Sequence, residues 1–204
     1  MNDNRYRQQT ATLDKMYWNQ RWTTQQTGWD IGFTSPALMD YFQQLENKDA
    51  RILIPGCGNA YEAEALLQLG FTNITLVDIA EDLVANLQQK FADQPQIRVL
   101  AVDFFELEEQ FDYIVEQTFF CAIDPKQREE YVSKMAELLS EDGELFGLLF
   151  NRIFTQEGPP YGGDYAEYIS LFRAKFKNVQ MEICDKSIGP RAGTELFFSC
   201  KNKI

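Results

Sequence analysis

The chain has 204 residues, a formal net charge of −12, four cysteines and no histidine. This length suits one domain with a two-sided core. The acidic balance argues against nucleic acid or an anionic membrane as a partner, because both attract basic surfaces. The lack of histidine excludes imidazole catalysis, and the cysteines show no metal-binding spacing, so we expect no metal site.

The N-terminal residues are polar, and no apolar run is long enough to span a bilayer. We therefore expect a cytoplasmic protein with reduced thiols and no membrane partner, and a monomer as the default state. We expect residues 1–204 to form a single domain, with an N-terminal lid at 1–35 and a core at 36–204.

Apolar segments with helical spacing alternate with short, continuous apolar runs along the chain. In chain order the pattern predicts a helix at 38–45, a strand at 51–55, a helix at 62–69, a strand at 73–78, a helix at 81–91, strands at 97–103 and 111–117, a helix at 125–139 and a strand at 144–150. Two later runs, 179–184 and 194–201, flank a turn-rich stretch and predict an antiparallel hairpin. The predicted fold class is α/β: a Rossmann-like, seven-stranded, mostly parallel sheet with helices on both faces and a C-terminal hairpin.

Two glycines stand between the first predicted strand and its helix, at the edge where such sheets bind ligands. Gly56 and Gly58 let the backbone approach a ligand closely. Asp78 ends the second strand, where a carboxylate can accept hydrogen bonds from both hydroxyls of a ribose. Asp103 ends the third strand, on the side where an adenine edge is usually bound. Together these strand ends predict a nucleoside site.

The glycine spacing also narrows the choice of nucleoside. A dinucleotide loop needs a third glycine, and Tyr61 stands in its place. The sequence contains no triphosphate-binding loop either. S-adenosylmethionine has an adenosine without phosphates and a sulfonium that aromatic residues attract, and the terminal hairpin is typical of methyltransferase sheets. An NAD-dependent oxidoreductase and a regulatory module that binds S-adenosylmethionine without turnover are the alternatives.

Several segments resemble the thiopurine S-methyltransferase family, which also contains plant thiol, halide and thiocyanate methyltransferases. They are YWNQRWTTQQTGWDIGFTSP, ILIPGCGNAYEAEALLQLGF, LVDIA, VDFFEL, EQTFFCAIDPKQREEY and GPPY, which together span nearly the whole chain. The TFFCAI segment is most similar to the thiol and halide branch. The resemblance implies an enzyme that uses S-adenosylmethionine, releases S-adenosylhomocysteine and methylates a small soft nucleophile: a thiol, hydrosulfide, a thiopurine-like aryl thiol, a halide or thiocyanate.

The resemblance also implies which residues form the site. Those expected to bind the cofactor are Trp18, Trp22, Trp29, Gly56, Cys57, Gly58, Asp78, Ile79, Asp103, Phe104 and Gln117. Those expected to line the substrate pocket are Trp29, Phe33, Phe119, Phe120, Pro160 and Tyr161. Gln117 departs from the family pattern, in which plant members carry a tyrosine and mammalian members an arginine.

A soft nucleophile reaches the donor already as an anion, so the reaction needs alignment and exclusion of water rather than a general base. We therefore expect no catalytic acid or base in this chain. Cys57 has no histidine or lysine beside it in the sequence to lower its pKa, and a small buried thiol is the expected role.

Overall fold

A computed structural model describes residues 12–204. Residues 1–11, the first part of the predicted lid, lie outside the described residues. The helices are α1 (Lys15–Thr23), α2 (Pro36–Phe42), α3 (Tyr61–Gln68), α4 (Glu81–Lys90), α5 (Arg128–Leu138) and α6 (Tyr165–Arg173). The strands are β1 (Ile52–Pro55), β2 (Ile74–Asp78), β3 (Ile97–Ala101), β4 (Phe111–Gln117), β5 (Leu139–Phe150), β6 (Phe176–Ile183) and β7 (Glu195–Lys203).

All seven strands form one sheet in the order β3-β2-β1-β4-β5-β7-β6. Strands β1 to β5 are parallel to one another, whereas β7 runs antiparallel to both β5 and β6. This confirms the predicted α/β fold with its C-terminal antiparallel hairpin. The strand order reverses between β1 and β4, so the carboxyl ends of these two strands open the crevice in which such sheets bind ligands.

Helices cover both faces of the sheet, which explains the continuous apolar strands. On one face α2, α3 and α4 pack with a buried cluster that includes Phe42, Leu66 and Leu87. On the other face α5 and α6 contribute Tyr131 and Phe172 to a second cluster. Every residue of β1 and β2 is buried, as a strand between two helical layers requires.

The structure differs from the predicted elements at several places. Strand β5 begins at Leu139 rather than at 144, because a register irregularity between Phe111 and Tyr113 lets Leu139 pair with Phe111. The segment predicted as one helix at 125–139 is a short 3-10 turn followed by α5. Helices α1 and α6 were not predicted from the pattern. Within residues 12–204 no helix has the length and apolar character needed to cross a membrane.

Candidate active site

The loop between β1 and α3, which we call the glycine loop (residues 56–60), makes a series of tight turns. Gly56, Gly58 and Ala60 all have left-handed backbone angles, with φ of +56°, +51° and +57°. The Cys57 N–H donates a hydrogen bond of 3.2 Å to the carbonyl oxygen of Val77 in β2. The loop backbone is therefore fixed beside the carboxyl end of β2, where the sequence placed the nucleoside site.

Gly56 is also packed against an aromatic ring. A Cβ added at Gly56 would lie only 2.7 Å from Cγ of Phe119, which is closer than any real Cβ contact. Phe119 in turn makes an edge-to-face contact with Phe104, with 5.2 Å between the ring centroids. Phe119 therefore lies on the glycine loop, next to the aromatic residue expected on the adenine side.

Phe120, the next residue, points into the core instead. It is 1% exposed, and its ring centroid lies 5.0 Å from Tyr131 and 5.4 Å from Tyr168. The two phenylalanines that the sequence placed together in a substrate pocket thus have different surroundings: Phe119 contacts the glycine loop, and Phe120 belongs to the core beneath α5 and α6.

Asp78 connects the end of β2 to the glycine loop. Its Oδ2 accepts a hydrogen bond of 3.3 Å from the Gly58 N–H, and its Oδ1 accepts one of 3.0 Å from the Ala80 N–H. Burial raises the pKa of Asp78, and these backbone hydrogen bonds partly offset the rise. A carboxylate has about four acceptor sites and the backbone does not fill them all, so the side chain can still accept a hydrogen bond from a bound ligand.

The end of β3 is arranged differently. The Asp103 carboxylate accepts a hydrogen bond of 3.0 Å from the Phe105 N–H and so caps the short 3-10 turn Phe104–Glu106. Phe104 is buried in this turn, whereas Ile79, at the neighbouring end of β2, is half-buried. These residues lie side by side because the parallel strands β2 and β3 end at the same edge.

The end of β4 carries two polar side chains, the buried Glu116 and the half-buried Gln117, and sequence reasoning singled out only Gln117. Glu116 is fully buried; its Oε1 accepts hydrogen bonds from the N–H groups of Phe119 (2.8 Å) and Phe120 (2.9 Å), and its Oε2 accepts one from the Tyr131 hydroxyl. Burial raises the pKa of Glu116 to about 7. An acidic residue inside the apolar run of β4 was the signal that could have drawn attention to it.

Gln117 follows Glu116 and has one unsatisfied atom. Its Oε1 is buried and has no hydrogen-bond partner among residues 12–204. An unpaired buried amide oxygen is costly, and this one keeps its full capacity to accept a hydrogen bond. Gln117 Oε1 is therefore available in this crevice as a hydrogen-bond acceptor.

The lid lies over the glycine loop. Trp29 makes edge-to-face contacts with Trp18 and Trp22, each with 5.7 Å between ring centroids. Trp22 packs on Gly58, since an added Cβ there would meet the indole at 3.5 Å. The three tryptophans therefore form one cluster beside the loop and the end of β2.

A small cavity lies at the carboxyl ends of β4 and β5. Its volume is about 220 Å³ including its open mouth, and its lining consists of Glu116, Thr118, Phe120, Cys121, Leu148, Leu149, Phe150 and Glu195. Of the residues predicted to line the substrate pocket, Phe120 lines this cavity with its buried ring. The others are absent from the lining: Trp29, Phe33, Phe119, Pro160 and Tyr161. Phe33 is half-exposed. The Tyr161 N–H nevertheless donates a hydrogen bond of 2.7 Å to the Cys121 carbonyl, which joins its loop to the wall of the cavity.

The cysteines have the surroundings of packing residues. All four are buried, and burial raises the pKa of the Cys57 and Cys121 thiols. In the part of the chain that the structure describes, no group of three or more acidic, cysteine or histidine side chains is placed to hold a metal ion.

Comparison with known proteins decides the family. The model of the thiopurine S-methyltransferase family matches residues 13–196. The chain belongs to the thiopurine S-methyltransferase family. It is therefore an S-adenosylmethionine-dependent methyltransferase, and the predicted family, enzyme class and cofactor are confirmed.

Among relatives of this methyltransferase, the probable thiol methyltransferase 2 of Arabidopsis thaliana is 32% identical over 184 residues, covering 87% of this chain and 81% of that protein. Thiocyanate methyltransferase 1 of the same plant is 30% identical over 190 residues, covering 90% and 83%. The structure of 1,6-didemethyltoxoflavin-N1-methyltransferase from Burkholderia thailandensis, with bound S-adenosylhomocysteine, matches with a TM-score of 0.71 at 18% identity, covering 93% of this chain and 87% of that one. This structural likeness supports the fold.

Proposed function

We propose that this methyltransferase acts on a small thiol or a soft anion such as hydrosulfide, thiocyanate or a halide. The observation that carries the proposal is the cavity at the ends of β4 and β5, which is small and offers no free base. The names of the Arabidopsis relatives, a thiol and a thiocyanate methyltransferase, support the same acceptor class.

The ionisable groups that line this cavity are all engaged. Glu116 accepts the hydrogen bonds described above, and Glu195 forms an ion pair of 3.3 Å with Arg191. The pKa of Cys121 is raised by burial, so its thiol stays protonated at neutral pH. Because Glu116 already accepts three hydrogen bonds, a thiolate or an inorganic anion, which needs no proton acceptor, suits this cavity better than an acceptor that must lose a proton.

The residues at the edge of the sheet suit the methyl donor. Asp78 would accept hydrogen bonds from the ribose hydroxyls, and Gln117 Oε1 would accept one from the donor's ammonium group. The backbone at 56–58 would lie against the amino-acid end of the donor, with Ile79, Asp103 and Phe104 on the adenine side. Trp18, Trp22 and Trp29 would cover the donor and exclude water.

When bound, S-adenosylmethionine would supply a methyl group that passes from its sulfonium to the acceptor by in-line displacement, with S-adenosylhomocysteine as the leaving group. The chain's own task is to hold the acceptor in line and to keep water away, because a hydrated anion is a weaker nucleophile. We assign the lid tryptophans and Phe119 to the exclusion of water. Phe33, Pro160 and Tyr161 remain predicted pocket residues, which would contact the acceptor at the mouth of the pocket.

The test is a turnover assay with labelled S-adenosylmethionine and a panel of thiols, hydrosulfide, thiocyanate, halides and an aryl thiol. Volatile methyl products are measured in the headspace and S-adenosylhomocysteine in solution, with Asp78→Asn as the variant expected to lose donor binding. Donor binding without turnover of any acceptor would contradict the acceptor class and favour a regulatory module. The cytoplasmic location, the monomeric state and the single-domain division at residue 35 stay predictions.

A further inference from the structure

Asp30 follows Trp29 in the lid and reaches across to the glycine loop. Its Oδ2 accepts a hydrogen bond of 2.5 Å from Asn59 Nδ2 and a longer one of 3.3 Å from the Tyr61 hydroxyl. Its Oδ1 accepts a hydrogen bond of 2.8 Å from the Gly32 N–H, which fixes the orientation of the carboxylate. One side chain therefore joins the lid to the loop.

The backbone of Asn59 is itself held in place by Lys90 of α4. The Lys90 ammonium donates a hydrogen bond of 3.0 Å to the Asn59 carbonyl and forms an ion pair of 2.6 Å with Glu64. Asn59 is also the residue directly after Gly58, on which Trp22 packs. Asn59, which donates to Asp30, is thus a fixed part of the glycine loop.

The backbone at Trp29 is held from the opposite side as well. Arg191, in the segment between β6 and β7, donates a hydrogen bond of 2.9 Å from Nη2 to the Trp29 carbonyl. The same guanidinium is oriented by Glu195. Trp29 therefore lies between two attachments, one to the C-terminal hairpin and one, through Asp30, to the glycine loop.

We propose that Asp30 is a positioning residue for methyl transfer, which sets the tryptophan cluster over the donor by its hydrogen bonds to Asn59 and Tyr61. The inference rests on the proposed placement of the donor beneath the lid. It also assigns a role to Tyr61, which takes the position of the third glycine of a dinucleotide loop: its hydroxyl points to the lid carboxylate. A charge-assisted hydrogen bond in a half-buried position is strong enough to fix such a segment.

The test compares Asp30→Ala, Asn59→Ala and the double variant with the matched control Asp40→Ala. Asp40 is an aspartate of α2 that pairs with Lys186 at the surface, and neither residue belongs to the proposed donor site. We expect donor affinity, measured by calorimetry, to fall about tenfold in Asp30→Ala, as loss of a charge-assisted hydrogen bond implies. Because the two residues share one interaction, the double variant should bind about as weakly as Asp30→Ala alone.

A second readout separates lid position from overall stability. All three tryptophans of the chain lie in the lid, so acrylamide quenching of tryptophan fluorescence, excited selectively over tyrosine, reports on this segment alone. Quenching should increase in Asp30→Ala without donor, while the urea midpoint changes little, and Asp40→Ala should leave quenching unchanged.

Additive losses in the double variant, or wild-type quenching in Asp30→Ala, would overturn the positioning role. If the wild-type protein binds no S-adenosylmethionine, the proposed donor site fails instead, and the quenching comparison still decides whether Asp30 holds the lid.

Discussion

The ring of Phe119 lies directly on Gly56, so the loops that follow β4 and β1 form one packed unit at the centre of the sheet. Glu116 holds the Phe119 backbone in this position through its carboxylate. Thr118, directly before Phe119, has a left-handed φ of +59°, which is unusual for a β-branched side chain. Such strain persists only where the surroundings enforce it, and it is common at functional sites.

Gly56→Ala should be costly for two separate reasons. Alanine is unfavourable at a φ of +56°, and its methyl group would overlap the Phe119 ring. We expect the free energy of unfolding to fall by about 3 kcal/mol, measured by urea denaturation. Gly189→Ala is the control, because nothing lies within 4 Å of its added Cβ. If both variants have the same free energy of unfolding, the ring of Phe119 does not pack on Gly56 as described.

Glu116 should make stability depend on pH. Its pKa of about 7 in the folded protein lies above the ordinary value of 4.5, so the folded state binds the proton more tightly. The resulting stabilisation is complete below pH 4.5 and is lost as the pH rises through about 7, by about 3 kcal/mol in total.

Glu116→Gln should remove this dependence, since the amide oxygen still accepts from the backbone and the amide nitrogen can donate to Tyr131. Urea unfolding at pH 5 and pH 8 measures the difference between the two pH values for each protein, with the exposed Glu106→Gln as control. The same pH dependence in wild type and Glu116→Gln would show that Glu116 does not titrate in this range.

Gln117→Leu should change stability and donor affinity in opposite directions. Leucine removes the buried, unpaired Oε1, so the ligand-free protein should gain about 1 kcal/mol, whereas S-adenosylmethionine should bind more weakly. Gln96→Leu is a matched control, because its Oε1 is also buried and unpaired within the described residues. Gln96 pairs its carbonyl with the first residue of β2, at the opposite edge of the sheet, so its variant should gain stability and bind the donor normally.

The cysteines should be unreactive in the native protein. Burial raises the pKa of Cys57, and the other three thiols are buried as well. We expect slow reaction with a thiol reagent at pH 8, rapid reaction of all four in urea, and nearly full turnover in Cys57→Ala. A loss of turnover above a hundredfold in Cys57→Ala, with donor binding retained, would restore this residue as a nucleophile.

The strands could be predicted closely from the sequence because each is a continuous apolar run between turn residues. The prediction for β4 has the same bounds as the structure, and β1 and β2 differ by one residue. Helix α6 was missed although it carries a local start signal: Asp164 caps the helix by accepting a hydrogen bond of 2.9 Å from the Glu167 N–H. The early start of β5 depends on pairing with β4, which no local pattern contains.

The candidate site was predictable where it is local and unpredictable where it joins distant segments. Glycines and acids at strand ends can be recognised one loop at a time, as for Gly56 and Asp78. The hydrogen bond from Arg191 to Trp29 joins residues 162 apart in the sequence, and nothing near either residue indicates it. The opposite surroundings of Phe119 and Phe120 likewise follow from Glu116, which lies behind both.

The order of strands has a consequence for biosynthesis. β7 is the last of the seven strands to leave the ribosome, yet it takes its place between β5 and β6. Arg191, which holds the lid at Trp29, is translated only just before it. During translation β5 therefore has an open edge until β7 is made. By then the lid, the glycine loop and the five parallel strands have already left the ribosome. Translation that stops after β6 leaves an exposed edge on β5 and a lid without its attachment to Arg191.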